Sequence, residues 1–78
     1  MTTTNEELRE VYNIFSDSWK FFKKFADVQQ TDEYWSALVD AADLVARKHQ
    51  NSRLCKDLVL AATAELERKN KEMRQNVT

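Results

Sequence analysis

Apolar residues recur along the chain at steps of three and four, which is the spacing of one face of an α-helix. The first series of such positions is Leu8, Tyr12, Phe15, Trp19, Phe22 and Ala26. Thr4 and Glu7 stand just before it in the T-x-x-E order of a capping box, in which the Thr hydroxyl accepts a hydrogen bond from the third amide of the helix. The pattern predicts a first helix over residues 5–26, with this series packed in the core.

Two more amphipathic segments follow, each after a short polar link. The second is predicted to cover residues 32–49 and the third residues 53–73. The third segment becomes polar towards its end, which is expected to fray over residues 74–78. Because both links are short, neighbouring helices should run antiparallel. The sequence therefore predicts one all-α domain over residues 1–78, an up-down-up antiparallel three-helix bundle.

Turn and packing residues support this arrangement. Thr31 is the expected cap of the second helix, Asn51 is the best substitute for glycine in a left-handed cap after it, and Asn51 or Ser52 can cap the third.

Two alanine pairs lie about ten residues on either side of the turn at Asn51 and should let the second and third helices approach closely. They are Ala41, Ala42, Ala61 and Ala62. Four aromatic side chains are expected to supply most of the burial, at about 2–3 kcal/mol each. They are Phe15, Trp19, Phe22 and Trp35.

Composition removes several classes of function. The chain has no glycine and no proline, and phosphate-binding loops, dinucleotide-binding turns and nucleophile elbows all require glycine. The net charge of −1 argues against a broad nucleic-acid footprint and equally against an acidic mimic of DNA. A single cysteine excludes an internal disulfide and favours a reducing compartment, the cytoplasm. The apolar runs are too short for a membrane span, so no membrane partner is expected.

Few residues offer chemistry. His49 and Cys55 are six residues apart across a turn, and no third group to orient the histidine is evident from the sequence. Asp40 and Asp43 share the outer face of the second helix, where a solvated pair is a better interpretation than a metal site. The sequence therefore predicts no enzyme activity, no cofactor and no metal.

Two surfaces are candidates for binding. The first is a set of apolar residues at the edges of the helical stripes, where a protein partner or a second copy of the chain could dock unless the bundle covers them. These candidate partner-binding residues are Ile14, Phe21, Phe25, Leu44 and Leu60. Single exposed leucines are also common in folded proteins, which is the simpler interpretation of the last two.

The second candidate surface is the basic turn between the second and third helices. Its candidate phosphate-binding residues are Arg47, Lys48, Arg53 and Lys56. They could hold a nucleic acid, with the third helix as the recognition helix of a helix-turn-helix. The alternative is that they pair within the molecule, because the start of the first helix lies at the same end of the bundle. The acids expected there are Glu6, Glu7 and Glu10.

The chain also resembles a known group of proteins. The strings YNIFSDSWKFFKKF, TDEYWSALVDAADLV and LVLAATAELERK resemble small helical proteins encoded by phages and integrative elements of Gram-positive bacteria. The resemblance implies a cytoplasmic accessory protein, and it suggests an inhibitor of a host-defence complex of the anti-CRISPR type. Our first hypothesis is a non-enzymatic protein-binding helical module of this origin. The alternative hypothesis is a small helix-turn-helix-like protein that binds nucleic acid through the basic turn.

Overall fold

The computed structural model describes residues 4–75 of the chain, and these form three helices. They are α1 (Asn5–Lys24), α2 (Asp32–Lys48) and α3 (Arg53–Gln75). Each helix packs against the other two, and the described residues contain no strand. The predicted all-α three-helix bundle is confirmed. The end predicted to fray belongs to α3 as far as residue 75, and residues 76–78 lie outside the described part.

Side-chain caps begin the helices where the sequence places them. The Thr4 hydroxyl accepts a hydrogen bond from the Glu7 amide at 3.1 Å, and the Thr31 hydroxyl accepts one from Tyr34 at the same distance. Ser52, one of the two candidates at the start of α3, accepts from the Cys55 amide at 3.4 Å. Each cap satisfies an amide that the first turn of its helix leaves without a backbone partner.

A left-handed turn ends α2 without glycine. Gln50 and Asn51 both have φ of 57°. The Asn51 amide donates to the Ala46 carbonyl at 2.7 Å and the Gln50 amide donates to the Arg47 carbonyl at 3.0 Å. This pair of bonds is a Schellman motif, in which Gln50 occupies the left-handed position that usually holds glycine. Asn51 is left-handed as predicted. Gln50 is also left-handed, and its Cβ atom makes this conformation sterically costly in a way that glycine avoids.

The core is one cluster to which all three helices contribute. Its buried apolar residues are Ile14, Phe21, Phe25, Val28, Leu38, Cys55, Val59 and Leu66. Trp35 and the alanines Ala41, Ala42 and Ala62 pack against this cluster while remaining partly exposed. Phe25 and Tyr34 meet edge to face with ring centroids 5.6 Å apart, and the Tyr34 hydroxyl donates to the Phe25 carbonyl at 2.6 Å. These contacts join the end of α1 to the start of α2, as an antiparallel pair requires.

The structure corrects the prediction of which side of α1 faces the core. The series that was expected inside is largely outside, because four of its members are more than half exposed. They are Leu8, Tyr12, Phe15 and Trp19. Ile14, Phe21 and Phe25, predicted as partner-binding residues at the edge, are instead buried in the core and cannot serve as a docking surface. Ala61, from the predicted alanine pairs, is also exposed.

Both sides of α1 satisfy the same spacing rule. Ile14, Ser18, Phe21 and Phe25 follow one another at steps of four, three and four, as an inward stripe should. At 100° per residue this stripe is centred about 100° from the predicted one. The short side chain of Ser18, which is buried, leaves room on this side for the neighbouring helices. Periodicity identifies a helix with a broad apolar surface but does not say which part of that surface is covered.

The helices are offset along the bundle axis. The described residues extend 54 × 21 × 16 Å, whereas the 23 residues of α3 span only about 35 Å at 1.5 Å per residue. The long dimension therefore requires α1 and α3 to project from opposite ends. Residues 4–13 are all exposed and Ile14 is the first buried residue, so the projecting part of α1 precedes Ile14. At the other end Leu66 is the last buried residue of α3 among those, up to residue 73, whose burial is described.

The corrected orientation of α1 predicts unequal effects for two of its phenylalanines. Phe21→Ala should lower the free energy of unfolding by about 3–4 kcal/mol, because it empties a buried site, whereas Phe15→Ala should lower it by less than about 1 kcal/mol. Chemical denaturation of dilute protein measures both values. A larger loss for Phe15→Ala than for Phe21→Ala would contradict the orientation described here.

The glycine-free turn predicts a stabilising substitution. Gln50→Gly should raise the free energy of unfolding by about 0.5–1 kcal/mol, because glycine adopts a positive φ without the steric cost of a Cβ atom. Gln50→Ala is the matched control and should leave stability unchanged or slightly lower. Thermal unfolding of the three proteins measures the difference, and equal midpoints for the glycine and alanine variants would exclude strain at this position.

Candidate functional site

The exposed large apolar side chains that the structure describes are most numerous on α1, where five of them form a row. We call it the α1 face, and its members are Leu8, Val11, Tyr12, Phe15 and Trp19. They follow one side of the helix for about 16 Å at 1.5 Å per residue. The half-buried ring of Phe22 stacks on Trp19 at a centroid distance of 6.1 Å and continues the face into the bundle. The face begins on the projecting part of α1 and ends against the core.

The size of the α1 face sets it apart from scattered exposed residues. Buried aromatic side chains cover about 150–250 Å² each, so five large side chains at the observed exposures present about 500 Å² of apolar surface. The largest patch on an ordinary monomeric protein is about 300–600 Å² and commonly serves a function. The α1 face lies within that range although the whole protein exposes only 6207 Å². It is therefore the leading candidate for a contact surface.

Charges divide α1 into an acidic half and a basic half. The exposed acids of its first turns are Glu6, Glu7 and Glu10, and the exposed lysines of its last turns are Lys20, Lys23 and Lys24. Each group stabilises the helix, since the dipole favours anions at the start and cations at the end. At 100° per residue most of these charged side chains lie on the sides of α1 turned away from the α1 face, so the charge changes along the helix and not along the face itself.

A shallow groove of about 300 Å³ separates α1 from α2. Its apolar wall includes Phe21, Val45 and Leu44, and lysines of both helices stand at its rim. The rim lysines are Lys20, Lys24 and Lys48. Leu44, a predicted partner-binding residue, is exposed on this wall, and Leu60, the other exposed leucine of that set, lies on α3 outside the groove. Both are accessible, and their role in binding stays a prediction.

A polar cluster fixes α1 against the end of α2. The Asp17 carboxylate lies 2.7 Å from His49 Nε2 and 3.0 Å from Lys48 Nζ, and the side chains of Asp17 and His49 are both largely buried. His49 Nε2 donates, because an ionised carboxylate only accepts. Burial raises the pKa of Asp17, but hydrogen bonds from His49 and Lys48 and the charge of Lys48 outweigh it and hold the pKa below its ordinary value of 3.8.

Asp17 is the orienting group for His49 that the sequence did not reveal, since 32 residues separate the two. Cys55, however, does not complete a nucleophilic site with them. The thiol is fully buried and donates to the Val45 carbonyl at 3.6 Å. Burial raises its pKa, and the charge of Asp17 raises it further. A reactive cysteine needs an accessible thiol with a lowered pKa, and Cys55 has neither property.

The basic turn is partly neutralised by aspartates close to it. Arg47 pairs with Asp43 at 3.0 Å, and Lys48 pairs with Asp17. Arg53 lies 4.0 Å from Asp57, which is a weak and fully solvated contact. Lys56, the fourth predicted phosphate-binding residue, is exposed on α3. Three of the four cations therefore stand beside an acid.

The acids that pair with the turn differ from those predicted. We expected the start of α1 to supply them, through Glu6, Glu7 and Glu10. Within residues 4–75 the partners are instead Asp17 and two residues of the same helices as the cations. The offset of the helices explains the error, because Asp17 lies level with the turn and the first turns of α1 project beyond it.

Other kinds of site are not found in the described part of the chain. Residues 4–75 contain no group of three or more histidine, cysteine, aspartate or glutamate side chains arranged to hold a metal ion. None of their helices combines the length and the apolar character that crossing a bilayer requires.

Comparisons with known proteins add no assignment: no family model, curated protein or solved structure matches the chain. The candidate sites therefore depend on the geometry given above.

The polar cluster predicts a pH-dependent contribution to stability. Asp17→Asn should lower the free energy of unfolding by about 1–2 kcal/mol near neutral pH, because the hydrogen bonds to an ionised acceptor are lost. A lowered pKa means that this contribution is present above the ordinary value of 3.8 and disappears as the pH falls through the lowered pKa. The difference in free energy of unfolding between wild type and Asp17→Asn should therefore fall to zero as the pH is lowered through the pKa of Asp17.

Urea unfolding at a series of pH values measures this gap. Asp43→Asn is the control, because Asp43 belongs to an exposed pair and its loss should change stability by less than about 0.5 kcal/mol at every pH. A gap for Asp17→Asn that keeps its full size in acid would show that the ionised carboxylate is not its source.

Proposed function

We propose that the chain is a non-enzymatic protein-binding helical module that contacts its partner through the α1 face. The observation that carries this proposal is the row of five large apolar side chains that the bundle leaves uncovered on α1. A domain of 78 residues has little apolar surface to spare, because most of it is needed for its own core. The exposure of three aromatic side chains to water is explained if another protein surface covers them. They are Tyr12, Phe15 and Trp19.

The chemistry of the α1 face favours a protein as the partner. Tyrosine and tryptophan are enriched at the centres of protein interfaces, since each brings a large contact area with few rotatable bonds. Tyr12 and Trp19 are two turns apart on the same side of α1, with Phe15 between them. Glu7 precedes this row and Lys23 follows it, each about 80° round the helix from Phe15, so both can border the row with a charged group. These are the parts of an interface: an apolar centre and a solvated border.

The nature of the partner follows in outline from the resemblance to proteins of phages and integrative elements. We propose that the chain acts in the cytoplasm as an accessory protein of such an element, with a host-defence complex of the CRISPR type as one target. An inhibitor of this kind needs no catalytic group, because covering a working surface is sufficient. With a net charge of −1, such binding would depend on shape and apolar contact more than on imitation of DNA.

Binding of nucleic acid by the basic turn is the weaker alternative. Phosphate contacts need cations that are not already neutralised. Arg47 and Lys48 are each 3.0 Å from an aspartate carboxylate. A phosphate bound by either cation would therefore be repelled by that carboxylate. The pairing at the turn therefore favours the protein-binding hypothesis.

Affinity capture with two matched variants tests the proposed function. Tagged wild-type protein at micromolar concentration should retain a partner from a bacterial lysate, and Phe15→Glu should reduce the retained amount at least about tenfold, because a charge then stands in the centre of the α1 face. Leu60→Glu makes the same change at an exposed leucine of α3 and should retain the partner like wild type.

Circular dichroism first confirms that both variants are folded. Equal retention by wild type and Phe15→Glu would exclude the α1 face as the contact surface. A salt titration against duplex DNA tests the alternative: steep salt dependence that weakens in Arg53→Ala and Lys56→Ala would favour the basic turn.

A further inference from the structure

We propose that the groove between α1 and α2 binds a small amphipathic anion, a molecule that joins an aromatic or acyl body to one carboxylate or sulfonate group. The observations behind it are the apolar floor of the groove, its short length, and the lysines at its rim. The site is independent of the α1 face, because Lys24 is nine residues from Phe15 and so lies on the opposite side of α1.

The floor of the groove is apolar and comes from both helices. Phe21 belongs to α1, whereas Ala41, Leu44 and Val45 belong to α2. Phe21 is buried beneath the groove, but Leu44 is 66 % exposed beside it. A ligand that covers Leu44 removes apolar surface from water, which favours a ligand with an apolar body. Ligand pockets in proteins commonly combine such a lining with a few polar groups that fix orientation.

The dimensions of the groove favour a small molecule over a segment of another protein. Its volume of about 300 Å³ is at the lower end of the range for ligand sites, about 300–1,000 Å³. The lining runs from Asp17 to Lys24 on α1 and from Ala41 to Lys48 on α2, which is about 11 Å on each helix. A docked helix of average length, about 10–14 residues, would extend beyond both ends.

The charge of the lining favours an anion. Three lysines stand against one carboxylate, and that carboxylate, Asp17, is already paired with Lys48 at 3.0 Å. None of the ion pairs found within residues 4–75 includes Lys20 or Lys24. The Lys24 ammonium lies 5.7 Å from the centroid of the Phe25 ring, a contact that holds it near the bundle without a counter-anion.

The lysines are spaced to hold one anionic group at the rim. Lys20 and Lys24 are four residues apart and therefore neighbours on one side of α1. The methylenes of a lysine can lie along an apolar surface while its ammonium stays at the water side. The anionic group of the ligand then lies between the two ammonium groups, and its apolar body lies on Leu44. The outer acids of α2, Asp40 and Asp43, do not line the groove and so do not oppose this arrangement.

Three naphthalene probes that differ in the charge of one substituent test the inference. They are 2-naphthoate, 2-naphthalenemethanol and 2-naphthylmethylammonium. Each is titrated into the isotopically labelled full chain at neutral pH, and the backbone amide signals are followed by NMR. Naphthoate should shift the signals of residues 17–24 and 41–48 with a dissociation constant below about 1 mM. The alcohol should bind at least about threefold more weakly, and the ammonium should give no saturable shift.

Matched variants separate the charge of the rim from the floor. Lys20→Gln combined with Lys24→Gln should weaken naphthoate at least about threefold and leave the alcohol within about twofold, because only the anion loses its partners. Leu44→Ser should weaken both probes by a similar factor, because it removes part of the floor. Lys56→Gln combined with Leu60→Ser makes the same changes at exposed sites of α3 and should leave both probes within about twofold of wild type.

Four outcomes would overturn the inference. The first is equal binding of naphthoate and the alcohol to wild type, and the second is naphthoate binding that the paired glutamine substitutions leave unchanged. The third is a set of probe shifts confined to the α1 face. The fourth is movement of the groove signals when the protein is diluted without a probe, which would show that a second copy occupies the groove. None of these outcomes bears on the proposed function, which depends on Phe15 and the opposite side of α1.

Discussion

The structure depends on a mismatch between the apolar surface of α1 and the number of helices available to cover it. Apolar side chains occupy about half the circumference of α1, and a three-helix bundle encloses only the side that faces the other two helices. One part of this surface is therefore buried with Ile14, Phe21 and Phe25, and the neighbouring part is left in water with Phe15 and Trp19. Both the core and the candidate binding surface follow from how α1 is rotated.

A polar contact accounts for that rotation better than the apolar residues do. Both parts of the surface offer large side chains, so burial alone discriminates poorly between them. Asp17 discriminates, because it lies on the side of α1 where it reaches His49 and Lys48 at the end of α2. Turning α1 by about 100° to bury Trp19 instead would withdraw the carboxylate from Lys48 and leave His49 without its hydrogen-bond acceptor. The contacts of Asp17 thus favour the observed rotation of α1 in the bundle.

The sequence predicted the local features of the fold well. Thr4, Thr31 and Asn51 were identified from short-range rules about caps and left-handed turns, which involve only a few neighbouring residues. The side of α1 that faces the core was not predictable in this way, because two adjacent stripes obey the same spacing. Asp17 and His49 are far apart in the chain, and only the packed helices bring them together.

The projecting start of α1 also links binding to helix formation. The nine helical residues before Ile14 have backbone hydrogen bonds and a Thr4 cap but no buried side chain, and helical segments this short are marginal in water on their own. This part of the molecule should exchange its amide protons far sooner than the core. Contacts of a partner with Leu8 and Tyr12 would then have to offset the conformational entropy that these turns lose when they become ordered. Association through these turns would therefore be weaker than the area of the contact alone suggests.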